Sequence, residues 1–348
     1  MDNSKQATLE LGTKPVGKLL MQYALPAIAA MTAASLYNMT DSIFIGQGCG
    51  ALAISGLAIT FPLQNLGAAF GAGVGVGAST CISVKLGQKD YQTAERVFGN
   101  AVTLNLIIGI AFSIITLLFL NPILKFFGAS DATLPYAREY MVVTLAGNVI
   151  SHMFFGMNAI LRAASKPRSA MMASIMTVIL NAILSPIFIW PLHMGIRGAA
   201  LATIIAQFCV LMWQLRIFSN PQCIVHFKRG IYRPVKYIIK NIIAIGMSPF
   251  AMNVCSCIII IFINNALTHH GGDLAVGAFG ICNKIVFIFV MINMGMNQGM
   301  FPIAGYNYGA HNYDRLITVL KYTMVIAFCI TTLGWIVAVL PLPKAKGT

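Results

Sequence analysis

Charged side chains are scarce in this sequence. Asp, Glu, Lys and Arg make up 9% of it and only 9 residues are acidic, whereas a soluble globular chain carries roughly 25% charged residues. So small a supply cannot cover a water-facing surface, which excludes a soluble globular protein. Catalytic signatures are missing as well. There is no HExxH, GxSxG or Walker sequence and no paired carboxylates, so neither metal-assisted hydrolysis, acyl transfer nor ATP hydrolysis has the side chains it needs. No enzymatic activity is expected. The 8 cysteines lie mostly in or at the ends of apolar runs, where a free thiol packs as a small hydrophobe. Cys255 and Cys257 form a CxC, but residues two apart on a helix point to different sides, and no His stands near to complete a metal set. The polar opening MDNSKQATLELGTKPVGK has no short apolar core or cleavage site of a signal peptide.

Apolar residues fill the rest: 58% of the sequence is hydrophobic and the mean hydropathy is +0.79. A helical membrane span needs about 20 apolar residues. Nine runs qualify, at roughly 19–45, 52–82, 97–120, 136–160, 169–192, 198–218, 238–264, 274–303 and 316–340. They are too long for barrel strands and do not alternate in polarity, so helices that satisfy their own backbone in lipid are expected. The fold class is therefore all-α, a polytopic membrane helix bundle.

The formal net charge of +14 does not form a nucleic-acid face, because the charges fall in short loops between apolar runs. With the N-terminus on the cytoplasmic side of the cell membrane, 17 of the 23 basic residues fall in inner segments: 1–18, 85–96, 162–168, 216–240 and 315–321. An odd number of spans leaves the tail PLPKAKGT outside with two lysines, which breaks this pattern. The expectation is a chain that stops early in its second half.

Residues 87–97, GQKDYQTAERV, align with 309–319, GAHNYDRLITV, at an offset of 222. At the same offset Gly73 meets Gly295 and Gly77 meets Gly299, and with one further shift Pro26 meets Pro249. Spans one to three thus repeat as spans seven to nine in the same orientation, a parallel repeat of the kind from which transporters are built. The expected organisation is a six-helix lobe (1–220), a basic linker (221–236) and a partial three-helix lobe (237–348).

Four stretches give this plan a family likeness: LPAIAAMTAASLYNMTDSIFIGQ (25–47), LRAASKPRSAMMAS (161–174), NAILSPIFIWPLHMGIRGAALAT (181–203) and QGMFPIAGYNYGAHNYDRL (298–316). Together they resemble the multidrug and toxic compound extrusion (MATE) family over essentially the whole chain, covering about nine of that family's twelve helices.

Asp41 is the first candidate functional residue. No Lys or Arg stands between Lys18 and Lys85, and a mid-membrane Asp costs about 2.5–3.5 kcal/mol on insertion scales. Burial disfavours its charged form, so a proton can bind or leave as a cavity changes exposure. Tyr37 and Asn38 share its helical face, and the three could hold a proton or a small cation such as Na⁺. The resemblance makes Asp41 the coupling-ion residue. Asn181 and Ser185 are i,i+4 neighbours on the fifth span. The family commonly has Asp at the position of Ser185, which puts a two-carboxylate site in doubt. Lys284, beside Asn283, is the cation set deep in an apolar run. It either snorkels or faces the cavity. Phe61, Phe154 and Met157 are candidate walls for lipophilic cations. The glycines of GAGVGVG (71–77) lie in an apolar helix and suit close packing, not nucleotide binding.

The resulting expectation is a secondary-active exporter of lipophilic or cationic compounds, driven by H⁺ or Na⁺ through alternating access. No cofactor or metal is expected beyond the coupling ion, and membrane lipids are the other expected contacts. The alternatives are a lipid-linked saccharide flippase or a fragment that does not transport.

Overall fold

Long apolar segments with few breakers give helices, and helices are all the regular structure there is among the described residues 3–339 of the computed structural model. Within that range the structure describes the side chains of all residues but 3, 4, 37–39, 51, 257, 260, 261, 264, 265, 267–285 and 337–339. The elements are α1 (Asn3–Thr13), α2 (Val16–Cys49), α3 (Ala51–Gly87), α4 (Tyr91–Leu118), α5 (Leu120–Phe126), α6 (Leu134–Ala146), α7 (Asn148–Ala163), α8 (Pro167–Ile189), α9 (Gly195–Phe218), α10 (Lys236–Gly309) and α11 (Tyr313–Val339).

Eight stretches among the described residues are long and apolar enough to cross a membrane, or nine if α6 and α7 together form one span. Their outer faces are apolar: Ile107, Ile110, Ile114 and Leu118 line an exposed stripe of α4, at the spacing of one helix face. The protein is a multi-pass membrane bundle.

Three details depart from the nine straight runs. The polar N-terminus forms α1, whose Leu11 is buried and whose Leu11 carbonyl accepts a hydrogen bond from Asn307. The run 136–160 breaks at Gly147 into α6 and α7, bent by 57°. Ile204 of α9 packs into that break so closely that a Cβ on Gly147 would lie 2.6 Å from two of its side-chain carbons. The runs 238–264 and 274–303 join in one helical element, α10, of 74 residues. Straight, it would reach about 110 Å at 1.5 Å per residue. Yet its Ile242 touches Gly77 and its Tyr306 touches Gly87, both on α3. Ten residues of α3 span only about 15 Å, so α10 doubles back. Its arms, Lys236–Ser256 and Val286–Gly309, are separate candidate spans.

The repeat is written into the backbone. Lys89 and His311, 222 residues apart, both adopt left-handed conformations, with φ of 60° and 58°. Around them the same hydrogen bonds recur: Lys89 N–H to Leu86 O and His311 N–H to Tyr308 O, then Asp90 N–H to Lys85 O and Asn312 N–H to Asn307 O. Thr93 donates to Asp90 at the start of α4 and holds that carboxyl below the usual carboxylate range. The contacts between the repeats are reciprocal. A Cβ on Gly87 would strike the Tyr306 carbonyl, and one on Gly309 the Val84 carbonyl. Val84 and Tyr306 are themselves 222 residues apart. A pair that swaps in this way is the mark of a two-fold relation.

The expected inner segments gather at one end of the bundle. Thr8 meets Ser165, Arg315 donates to the Lys14 carbonyl and Lys228 pairs with Glu95. Buried Asn100 of α4 fastens the segment before α10: it donates to the Arg233 carbonyl at 3.2 Å and accepts from Val235 N–H at 2.8 Å. Asn100→Ala should orphan these groups and cost about 1–3 kcal/mol, read as a lower thermal midpoint in detergent. An unchanged midpoint would show that this fastening contributes nothing to stability.

Candidate functional site

Asp41 is the one buried acid among the described residues, at 6% exposure. It sits on α2 one turn before buried Ile45, and Ser185 sits on α8 one turn before buried Ile189. Both isoleucines belong to the apolar cluster that packs α2, α3, α5, α6, α8 and α9 at the end of the bundle away from the basic segments. The polar groups thus lie just beneath that apolar cluster.

The geometry is a chain of short contacts. Ser185 Oγ lies 3.1 Å from Asp41 Oδ1 and 2.7 Å from Asn181 Oδ1. Asn181 Nδ2 donates to Thr203 Oγ1 on α9 at 2.7 Å, and Thr203 donates onward to the Ala199 carbonyl at 3.2 Å. Ser185 has one hydroxyl proton and faces two acceptors. It cannot donate to both. A proton on the Asp41 carboxyl resolves the conflict: Asp41 donates to Ser185, Ser185 to Asn181, Asn181 to Thr203, and Thr203 to the backbone. With Asp41 ionised, the Ser185 proton can turn to the carboxylate and the Asn181 amide can turn over with it. Thr203 then donates to Asn181, Asn181 to Ser185 and Ser185 to the carboxylate.

A second polar group lies beside the first. Tyr140 of α6 is within electrostatic reach of Asp41 and its hydroxyl donates to Gln64 of α3 at 3.4 Å. Gln64 in turn donates to buried Thr60 at 2.8 Å.

Of the residues singled out from sequence, Asp41, Asn181 and Ser185 are brought together. The side chains of Tyr37, Asn38, Asn283 and Lys284 lie outside the described residues. Phe61 is exposed on α3. Phe154 and Met157 are packed in the interior. The physical reason is the position of α7, which packs against α3, α4, α6, α8, α9 and α10 and so has little open face. Sequence reasoning missed Thr203, a single hydroxyl in GAALAT, and the Thr60–Gln64–Tyr140 group.

No cluster of His, Cys, Asp or Glu suited to a metal ion occurs among the described residues. Among the described residues, oxygens of Asp41, Ser185, Asn181 and Thr203 lie together here.

The family model described as MatE matches residues 26–187 and 246–344, more than half of the chain. The multidrug export protein MepA of Staphylococcus haemolyticus (strain JCSC1435) is 29% identical over 319 residues, covering 90% of this chain and 70% of that protein. Among solved structures, the outward-facing conformation of a multidrug resistance MATE family transporter of the MOP superfamily superposes with a TM-score of 0.89. It is 27% identical and covers 95% of this chain and 74% of that one. A MOP superfamily transporter from Pyrococcus furiosus, described as having a binding pocket of reverse polarity that suggests a different function, gives the same TM-score, identity and coverage.

Proposed function

Because this chain belongs to the MatE family of multidrug efflux transporters, we propose that it exports lipophilic, cationic compounds by antiport, with Asp41 as the group that exchanges the coupling ion. The observation that carries this reading is the Asp41–Ser185–Asn181–Thr203 chain of contacts, whose hydrogen bonds can run in either direction, with a proton on Asp41 or without it. A site whose hydrogen bonds can reverse can hold either charge state in turn. That is what a carrier needs if its carboxyl is loaded from one side and emptied to the other.

Three further assignments belong to the proposal. The end of the bundle that gathers the basic segments is the cytoplasmic end, by the positive-inside rule. Segments 1–220 and 237–348 are the two bodies that rock about a shared axis, joined by 221–236. The coupling ion is the proton. Ser185 Oγ lies 2.7–3.1 Å from the Asn181 and Asp41 oxygens, hydrogen-bond separations that a proton on Asp41 serves directly.

The test uses the full chain in proteoliposomes loaded with a fluorescent cation. Efflux should follow an imposed pH gradient and ignore a sodium gradient. Efflux driven by sodium alone would overturn the proton assignment. Ser185→Ala removes the link between Asp41 and Asn181, and gradient-driven efflux should fall about 10- to 100-fold, the effect of losing a hydrogen bond to a charged group. A Ser185→Ala protein as fast as wild type would remove the chain from the mechanism.

A further inference from the structure

At the basic end of the bundle, where α8 begins and α9 ends, a cavity of about 450 Å³ is lined by Lys166, Trp213, Arg216, Ile217, Ser219 and Asn220. Two of these are cations, none is acidic, and neither Lys166 nor Arg216 has an ion-pair partner among the described residues. The Asn220 side-chain oxygen is already engaged by the Gln222 N–H at 2.9 Å, so its amide has donors to offer. The Ser219 hydroxyl donates to the Leu215 carbonyl. The C-terminal end of α9 carries negative partial charge, and two full positive charges outweigh it. The cavity therefore offers an ammonium, a guanidinium, a carboxamide N–H pair and an indole N–H, a set of donors that matches phosphate oxygens.

What lies next to it separates a lipid from a soluble anion. Phe208 and Met212 are exposed on α9, and with Arg216 they fall at steps of four residues along one helical face. An apolar stripe thus leads from the membrane-spanning part of α9 straight to a guanidinium at its end. A free phosphate gains nothing from Phe208 and Met212, whereas an acyl chain lies along them. Trp213 beside the cations has the amphipathic ring that settles at headgroup level.

We propose that this cavity binds the phosphate headgroup of an anionic phospholipid, whose acyl chains lie along the Phe208–Met212 face of α9. Basic pockets between spans at a cytoplasmic surface recognise such headgroups, and the bound lipid would staple the start of α8 to the end of α9.

The experiment titrates the purified full chain in detergent with phosphatidylglycerol, with phosphatidylcholine of the same acyl chains, and with inorganic phosphate, reading thermal midpoint and lipid retention by native mass spectrometry. Phosphatidylglycerol should raise the midpoint and stay bound at concentrations at least tenfold below phosphatidylcholine. The double variant K166Q/R216Q should lose that preference, while Arg138→Gln, on α6, keeps it. Equal retention of the two lipids by wild type, or an undiminished preference in K166Q/R216Q, would overturn the proposal. Inorganic phosphate matching phosphatidylglycerol would overturn the lipid and leave a soluble-anion site. Should the double variant not fold, Arg216→Gln alone, with the wild-type lipid comparison, still decides.

Discussion

Asp41→Asn should abolish gradient-driven efflux of a cationic dye while leaving the protein folded and inserted. Asn matches Asp in shape and carries no charge, so the cost of about 2.5–3.5 kcal/mol for an acid at mid-membrane is not increased by the change. Its amide can donate to Ser185 Oγ across the 3.1 Å now spanned by Asp41 Oδ1. Ser185 then donates to Asn181 and the rest of the chain is undisturbed. The variant should therefore imitate the protonated protein permanently. Its thermal midpoint should equal or exceed that of wild type, and dye binding should cease to depend on pH. Transport under a pH gradient should fall to the level of empty liposomes. This combination separates a coupling role from a structural one, since a merely structural Asp41 would lose stability and binding together. Asp41→Asn with wild-type efflux would take Asp41 out of the mechanism, and Ser185→Ala would then have no reason to matter.

The sequence made Asp41 visible because one acid in an apolar helix is a conflict between composition and cost. Asn181 and Ser185 were visible for the same reason, with i,i+4 spacing to put them on one face. Thr203 was not, because a lone hydroxyl in an apolar helix bonds its own backbone without penalty, as Thr203 also does with Ala199. Its role depends on α9 lying beside α8, which is tertiary information. The burial of Phe154 and Met157 was not legible for a related reason. Composition says that a helix carries aromatic and thioether groups, but not how many neighbours surround it, and α7 has six. In the fold, apolar runs revealed the spans and the basic loops revealed which ends gather together. The bend at Gly147 and the docking of α1 were not legible, since both depend on partners distant in sequence, Ile204 in one case and Asn307 in the other. The repeat was legible in the aligned segments 87–97 and 309–319 and in scattered glycines. Their spacing becomes intelligible once the same glycines are seen where α3 and the first arm of α10, and α2 and the second arm, pass closest.

That seam carries the second large expectation. A Cβ on Gly77 would strike the Ile242 carbonyl and lie 2.9 Å from its carbon and 3.2 Å from Gly246 N. The obstacle is backbone, which cannot swing aside as a side chain does. Gly77→Leu should therefore drive α3 and α10 apart and leave little folded protein. Gly77→Ala should cost about 1–3 kcal/mol from overpacking and cut transport at least tenfold. Helix propensity predicts the opposite sign, since Ala in a helix interior is favoured over Gly by roughly 0.5–1 kcal/mol. Gly17→Ala on α2 supplies the contrast: its nearest neighbour is a Tyr322 side-chain atom at an ordinary 3.5 Å, so it should be neutral or stabilising. The repeat adds a sharper demand. Gly299 stands to Ala24 of α2 as Gly77 stands to Gly246 of α10, and a Cβ on it would lie 2.6 Å from the Ala24 backbone. Gly299→Ala should then reproduce the Gly77→Ala loss, measured as thermal midpoint and efflux side by side. If Gly77→Ala and Gly17→Ala prove alike, close backbone contact is not what joins the two repeats. If Gly77→Ala is harmful and Gly299→Ala harmless, the reciprocal contacts do not bear equally on the working transporter.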